Sequence, residues 1–171
     1  RLQGNPAEAI PYYEEAAGIS REIGSKSVEM LVESGLGGTF AALGDYETAE
    51  KLLRRVVVET AESAGHFIFE ESARYLAEVL YFQKKYAQAK ELALKALLFA
   101  EKTEFQDGIG SAWRIFGQIA AQTNKAITIG ENFFNAAECF ENSLRIFTES
   151  NRKAEKAKTL VEFARYEKTN G

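Results

Sequence analysis

The sequence has 171 residues and a net charge of −4, which argues against a nucleic-acid-binding protein, where a clustered basic face is expected. Two prolines and 46% hydrophobic residues indicate a soluble, helix-rich chain. There is no secretory signal and no apolar run of the roughly 20 residues that span a bilayer, and a single cysteine excludes an internal disulfide, so we expect a cytoplasmic protein without a membrane partner.

Apolar periodicity predicts an all-α chain of about eight helices, and no segment alternates as a strand would. In chain order the predicted helices are 5–23, 27–43, 46–64, 67–83, 86–103, 108–123, 133–149 and 152–169. Pro11 lies inside the first helix, where a proline removes a hydrogen bond. We therefore expect a kink or a late helix start there.

One break between helices shows how they are joined. Gly44 suits the left-handed residue that ends a helix, and Asp45 can cap the next one. The small residues Gly37 and Ala49 flank the break, where two helices must approach closely. This pattern predicts a helical hairpin.

The hairpin pattern recurs along the chain. A large residue followed by a small one returns at intervals of 40, 40 and 47 residues, and so does an alanine in the second helix. The large residues are Leu36, Leu76, Phe116 and Phe163, and the alanines are Ala9, Ala49, Ala89 and Ala136. Aromatic residues three positions earlier are Tyr46, Tyr86 and Phe133. Lys84 stands where Gly44 stood one repeat before.

These motifs, above all Leu36-Gly37-x-x-Phe40 and Gly44-Asp45-Tyr46-x-x-Ala49, resemble the tetratricopeptide repeat family. The resemblance implies one domain, a right-handed superhelical α-solenoid of antiparallel hairpins with units at about 1–24, 25–65, 66–104, 105–150 and 151–171. The period of 40 exceeds the family's usual length of about 34. It looks like the long repeats attached to bacterial signalling ATPases and regulators.

The fourth unit contains an insertion between Asn124 and Asn132 that holds Ile127 and Ile129. One interpretation is a longer loop folded back on the helices, because loops tolerate insertion. The other is a partner contact, since the two isoleucines would otherwise face water.

The sequence contains no motif of an enzyme and none that would hold a cofactor or a metal. There is no phosphate loop, no Gly-x-Ser-x-Gly elbow and no Cys-x-x-Cys. His66 is better explained as a surface or helix-end residue than as a ligand. Cys139, beside Phe140, is better explained as a buried packing residue than as a nucleophile.

The repeat family binds partners in a concave groove formed by the first helix of each hairpin. The resemblance places Leu31, Gly38 and Glu71 among its inward positions. The candidate partner-binding residues are Arg74, Glu78, Tyr81, Arg114, Gln118, Gln122 and Arg165. Arg74 and Arg114 share a register 40 residues apart and would favour an acidic peptide. The plainer interpretation is a solvated surface, with Arg74 and Glu78 as an ordinary i, i+4 pair.

The sequence thus predicts a protein-binding or peptide-binding regulatory module. The alternative is a structural scaffold that forms homo-oligomers through open repeat ends. Since Arg1 and Gly171 both fall inside the repeat pattern, we expect a piece of a larger protein.

Overall fold

The computed structural model describes residues 5–61 and 67–170 and is all-α apart from one small hairpin of strands. Consecutive helices pack against each other within two compact units, Arg1–Lys84 and Lys85–Gly171. The helices are α1 (Ile10–Glu22), α2 (Lys26–Leu43), α3 (Tyr46–Thr60), α4 (Phe67–Phe82), α5 (Tyr86–Lys102), α6 (Gln106–Thr123), α7 (Ala136–Glu149) and α8 (Lys153–Asn170). None of these described helices could cross a membrane.

The proline in the first predicted helix delays the start of that helix. A 3-10 turn, Pro6–Ala9, begins at Asn5, whose side chain accepts a hydrogen bond from the Ala7 amide. The α-helix then starts at Ile10, so Pro11 falls in its first turn, where its missing N–H has no helical partner to lose. The late start is confirmed. The predicted end of the third helix at 64, and His66, lie outside the described residues.

The helix ends recur at regular intervals in the left-handed conformation. Gly24, Gly44, Lys84, Glu104 and Asn124 all have positive φ, and they fall on a 20-residue spacing. The amide after Gly44 donates to the Phe40 carbonyl at 3.0 Å, which closes the helix end. Lys84 at φ 62° therefore does what Gly44 does at φ 82°, although a side chain in this region costs about 1 kcal/mol.

The insertion in the fourth unit is a β-hairpin, so the prediction of no strands is wrong here. Strand β1 (Ile127–Ile129) pairs antiparallel with β2 (Asn132–Phe134), and the turn contains Gly130 at φ 59°. Ile127 is buried, so it does not face water as expected. The apolar alternation is only three residues long, which is too short to be recognised as a strand in the sequence.

The hairpin also moves the start of the next helix. Helix α7 begins at Ala136, three residues after the predicted start, and Asn135 and Glu138 form a reciprocal capping box. Phe133 therefore lies in a strand, 71% exposed, rather than at a helix start. Phe134 supplies the buried contact instead, with its ring 4.8 Å from that of Trp113.

In the first unit, Gly37 allows α2 and α3 to touch. A Cβ atom at Gly37 would lie 2.5 Å from Leu53 Cγ. Ala49, Leu53 and Val56 are fully buried on the facing side of α3, as the repeat pattern predicted. A hydrogen bond of 2.8 Å between the hydroxyls of Ser72 and Ser34 joins α4 to α2.

We expect Gly37→Ala to destabilise the protein by about 1–3 kcal/mol through overpacking against Leu53. The matched control is Gly18→Ala in α1, where nothing lies within 4 Å of the added Cβ. That change should be neutral or should stabilise by up to about 1 kcal/mol, because alanine favours helix over glycine. Urea unfolding of both variants measures the difference. Equal effects at the two sites would mean that α2 and α3 are not in close contact at Gly37.

The second unit repeats this close packing around α6, which α5, α7 and α8 all contact. The ring of Phe140 occupies the space where a Cβ at Gly117 would be, at 2.8 Å. Ser143 donates a hydrogen bond of 2.7 Å to the Gly110 carbonyl and lies 3.1 Å from the Thr159 hydroxyl. Buried hydroxyls thus bind α6, α7 and α8 together.

Candidate functional site

The first unit contains a groove between α1, α2 and α4, with a volume of about 780 Å³. Helix α1 contributes aromatic side chains, α2 contributes glycines and aliphatic side chains, and α4 contributes aromatic side chains and a carboxylate. The residues that define its chemistry are Tyr12, Tyr13, Leu31, Phe67, Glu71 and Tyr75.

Two glycines of α2 form the floor of the groove. A Cβ at Gly35 would lie 2.5 Å from the Tyr13 ring, and one at Gly38 would lie 2.8 Å from the Tyr75 ring. Each ring therefore rests on the backbone of α2. A glycine inside a helix costs roughly 1 kcal/mol relative to alanine, and here the loss permits the rings to pack so closely.

The rim of the groove is aromatic and open to solvent. Tyr12 is 75% exposed and Phe67 is 62% exposed, and Leu31 between them is also exposed. Contiguous exposed apolar surface is uncommon on soluble proteins and marks interaction sites. The groove is thus an accessible surface with fixed rings beneath and mobile-length side chains at its edge.

Glu71 is the charged residue among the described residues that line the groove. Next to it, the Arg74 guanidinium lies 4.4 Å from the centroid of the Tyr75 ring, and Arg74 Nε lies 3.8 Å from Glu70 Oε1. Burial raises the pKa of Tyr75, the charges of Glu71 and Glu78 raise it further, and Arg74 counteracts them. Burial opposes the charge of Arg74, but Tyr75, Glu70 and Glu78 together raise its pKa.

The predicted site residues of the first unit lie close together, but only some of the inward positions line this groove. Leu31, Gly38 and Glu71 do so. Arg74 lies against Tyr75 and is mostly covered. Tyr81 is half-buried with its ring 5.3 Å from that of Phe82, and Glu78 is also half-buried.

In the second unit, the expectation of an accessible guanidinium at Arg114 needs correction. Its side chain is 4% exposed, and Nη1 lies 2.7 Å from Glu155 Oε2. Gln118 is buried as well, whereas Gln122 is exposed. Arg165 is exposed and pairs with Glu162 at 2.7 Å. Helix α8 covers Arg114, and the sequence pattern gave no sign that its Glu155 would be the partner.

The sequence analysis missed Tyr12, Tyr13, Phe67 and Tyr75 as groove residues. The family's inward positions lie in the first helix of each hairpin, whereas Tyr12 and Tyr13 lie in α1, a second helix. A signal was present in the spacing of Gly35 and Gly38, which share one side of α2. Two glycines there indicate that large side chains pack against the helix.

Other predicted features lie away from the groove. Cys139 is buried, as predicted, and its burial, followed by the charge of Glu138, raises the pKa of its thiol to about 12. It is therefore a poor nucleophile. Leu160 and Val161 leave an apolar side of α8 about half exposed. Self-association through such a face stays a prediction.

No protein-family model matches the sequence, and no curated protein is significantly similar to it. The resemblance to tetratricopeptide repeats therefore rests on the recurring residues themselves. The described helices add a feature that the residues alone did not contain, which is the 20-residue spacing of left-handed helix ends.

Proposed function

We propose that this chain is a protein-interaction module that binds a peptide segment of a partner protein in the groove of its first unit. The groove itself, with its volume of about 780 Å³ and its exposed aromatic rim, is the observation that carries the proposal. Ligand sites of this kind are typically concave, largely apolar and about 300–1,000 Å³ in volume.

The contacts beneath the groove suit binding. Tyr13 and Tyr75 are held against α2 at Gly35 and Gly38, so little conformational freedom of these rings remains to be lost when a ligand binds. Tyrosine side chains offer a large contact area with only two side-chain torsions. The groove is therefore ready to bind without rearrangement.

We further infer that the chain is a tetratricopeptide-type array with a regulatory, cytoplasmic role in bacterial signalling. The recurring hairpin motif and the 40-residue period support this inference. Under it, a bound peptide would act on a neighbouring output domain only if it binds one arrangement of the helices better than another.

Selection of 12-residue peptides from a random display library, followed by fluorescence anisotropy, tests the groove. We expect Thr39→Phe, which places a ring in the groove, to weaken binding of the selected peptides at least about tenfold, equivalent to roughly 1.4 kcal/mol. Thr39 lines the groove and is half-buried, so the added ring displaces ligand rather than core.

The matched control is Val58→Phe, which adds bulk to an exposed position of α3, outside the groove lining. It should bind the peptides as the wild type does. Circular dichroism and melting of both variants verify that they fold. If no peptide is enriched, or if Thr39→Phe binds as tightly as the control, the groove is not the binding site.

A further inference from the structure

We propose that the groove recognises a basic side chain, lysine or arginine, of its peptide partner. This inference rests on the proposed function and specifies its ligand. It reverses the charge that Arg74 and Arg114 led the sequence analysis to expect. The residues that carry it are Glu71, the tyrosines and Phe67.

Glu71 is the formal charge in the lining of the groove, and it makes no hydrogen bond or ion pair with the residues that the structure describes. It is half-buried on the side of α4 that faces α1 and α2 across the groove. A wholly apolar ligand would remove water from this carboxylate without replacing its hydrogen bonds, which is unfavourable. A ligand cation would supply the missing partner.

The charges behind the groove add to this preference. Arg74 has Glu70 at 3.8 Å and Glu78 close enough to raise its pKa. Glu70 is itself fully buried, so its charge stays close to that of Arg74. With Glu71 included, three carboxylates surround one guanidinium, which leaves the field near Tyr75 negative. An acidic ligand would meet this field without a cation in the groove lining to offset it.

The aromatic rings suit the same ligand. A lysine or arginine head group is attracted to the face of a tyrosine or phenylalanine ring within about 6 Å. Tyr12 and Phe67 present exposed rings at the rim, and Leu31 offers apolar surface for the aliphatic stem. The protein already makes this contact internally, since Arg74 lies 4.4 Å from the Tyr75 centroid.

The test uses the peptides selected on the wild-type chain, with Glu71→Gln and Glu71→Lys as variants. We expect the selected peptides to share a lysine or arginine. Glu71→Gln should weaken their binding about tenfold, and Glu71→Lys about a hundredfold, within the range measured for close charge pairs across interfaces. Replacing the shared basic residue by alanine should remove the difference between wild type and Glu71→Gln.

The matched control is Glu59→Gln and Glu59→Lys, which make the same charge changes at an exposed position of α3 outside the groove lining. These variants should change affinity less than about twofold at 0.15 M salt, where separated surface charges are largely screened. Melting curves of all four variants verify folding.

The outcomes separate this inference from the proposed function. Neutral or acidic peptides that bind, are blocked by Thr39→Phe and ignore Glu71→Gln would overturn the basic-ligand inference and leave the groove as a binding site. Basic peptides that depend equally on Glu59 and Glu71 would also overturn it, as attraction to net charge alone. If no peptide is enriched, both proposals fail.

Discussion

Truncation of Phe140 to alanine is expected to destabilise the protein by about 3–5 kcal/mol, the range for removing a large aromatic residue from a core. Phe140 is 1% exposed, its ring fills the space above Gly117, and it stacks on Phe163 with 5.4 Å between centroids. Because Gly117 has no side chain, the cavity left by the ring cannot be filled from α6. Urea unfolding followed by circular dichroism measures the loss.

The matched control is Phe133→Ala, in strand β2, because the same atoms are removed from a ring that is 71% exposed. We expect that variant to unfold within about 0.5 kcal/mol of the wild type, as is usual for surface substitutions. If Phe133→Ala proves as damaging as Phe140→Ala, then α7 is not packed through Phe140, or the hairpin contributes far more than its exposure indicates.

Removal of the carboxylate that pairs with Arg114 should have the other large effect. We expect Glu155→Leu to destabilise the protein by about 3 kcal/mol, the lower end of the range for breaking a buried pair. The lower end applies because the Glu155 side chain is 25% exposed, whereas Arg114 is 4% exposed and lies 5.7 Å from the Phe147 ring centroid. The guanidinium would stay buried without its closest anion.

A double-mutant cycle with Arg114→Met identifies the pair as the cause. The double variant should be more stable than Glu155→Leu alone, because two apolar side chains replace two buried charges. Lys158→Met serves as the control, since Lys158 also contacts Glu155, at 2.7 Å, but is itself exposed, and such surface pairs contribute about 0–1 kcal/mol. Strictly additive effects of Arg114→Met and Glu155→Leu would show that the two side chains do not interact.

The same pair predicts a pH dependence. Burial of Glu155 opposes its ionisation, but the hydrogen bond from Lys158 and the charge and hydrogen bond of Arg114 outweigh burial and lower the pKa of the carboxyl. A lowered folded-state pKa gives stability that is present above the unfolded value of 4.5 and lost as the pH falls through the folded value. Glu155→Leu should therefore be less sensitive to pH below about 4.5 than the wild type.

Much of the helical architecture follows from residues close together in the chain. Pro11 and Asn5 predicted the late first helix, and Gly44 predicted a left-handed helix end. The equivalent ends at Lys84 and Glu104 carry no such signal, because these residues take the left-handed conformation only under the pull of the surrounding fold. The β-hairpin was missed for a related reason, since three-residue strands have too little alternation to recognise.

The candidate site was predictable only in part. Glu71 and Gly38 were found because they lie on the same side of their helices as the repeat pattern requires. The fate of Arg114 was not, because its partner Glu155 is 41 residues away and belongs to a helix that covers it only after folding. A sequence pattern indicates which residues share a helix face, but not which face another helix will cover.

By itself, the sequence determined the all-α class, the number of helices and the 40-residue recurrence of large and small residues. These follow from hydrogen bonds and side-chain periodicity within a few residues of each position. The tertiary structure decided which charges are buried and which rings stay open to solvent. Burial depends on packing between distant segments, so Arg114 was enclosed by α8 while Glu71 remained at an open aromatic groove.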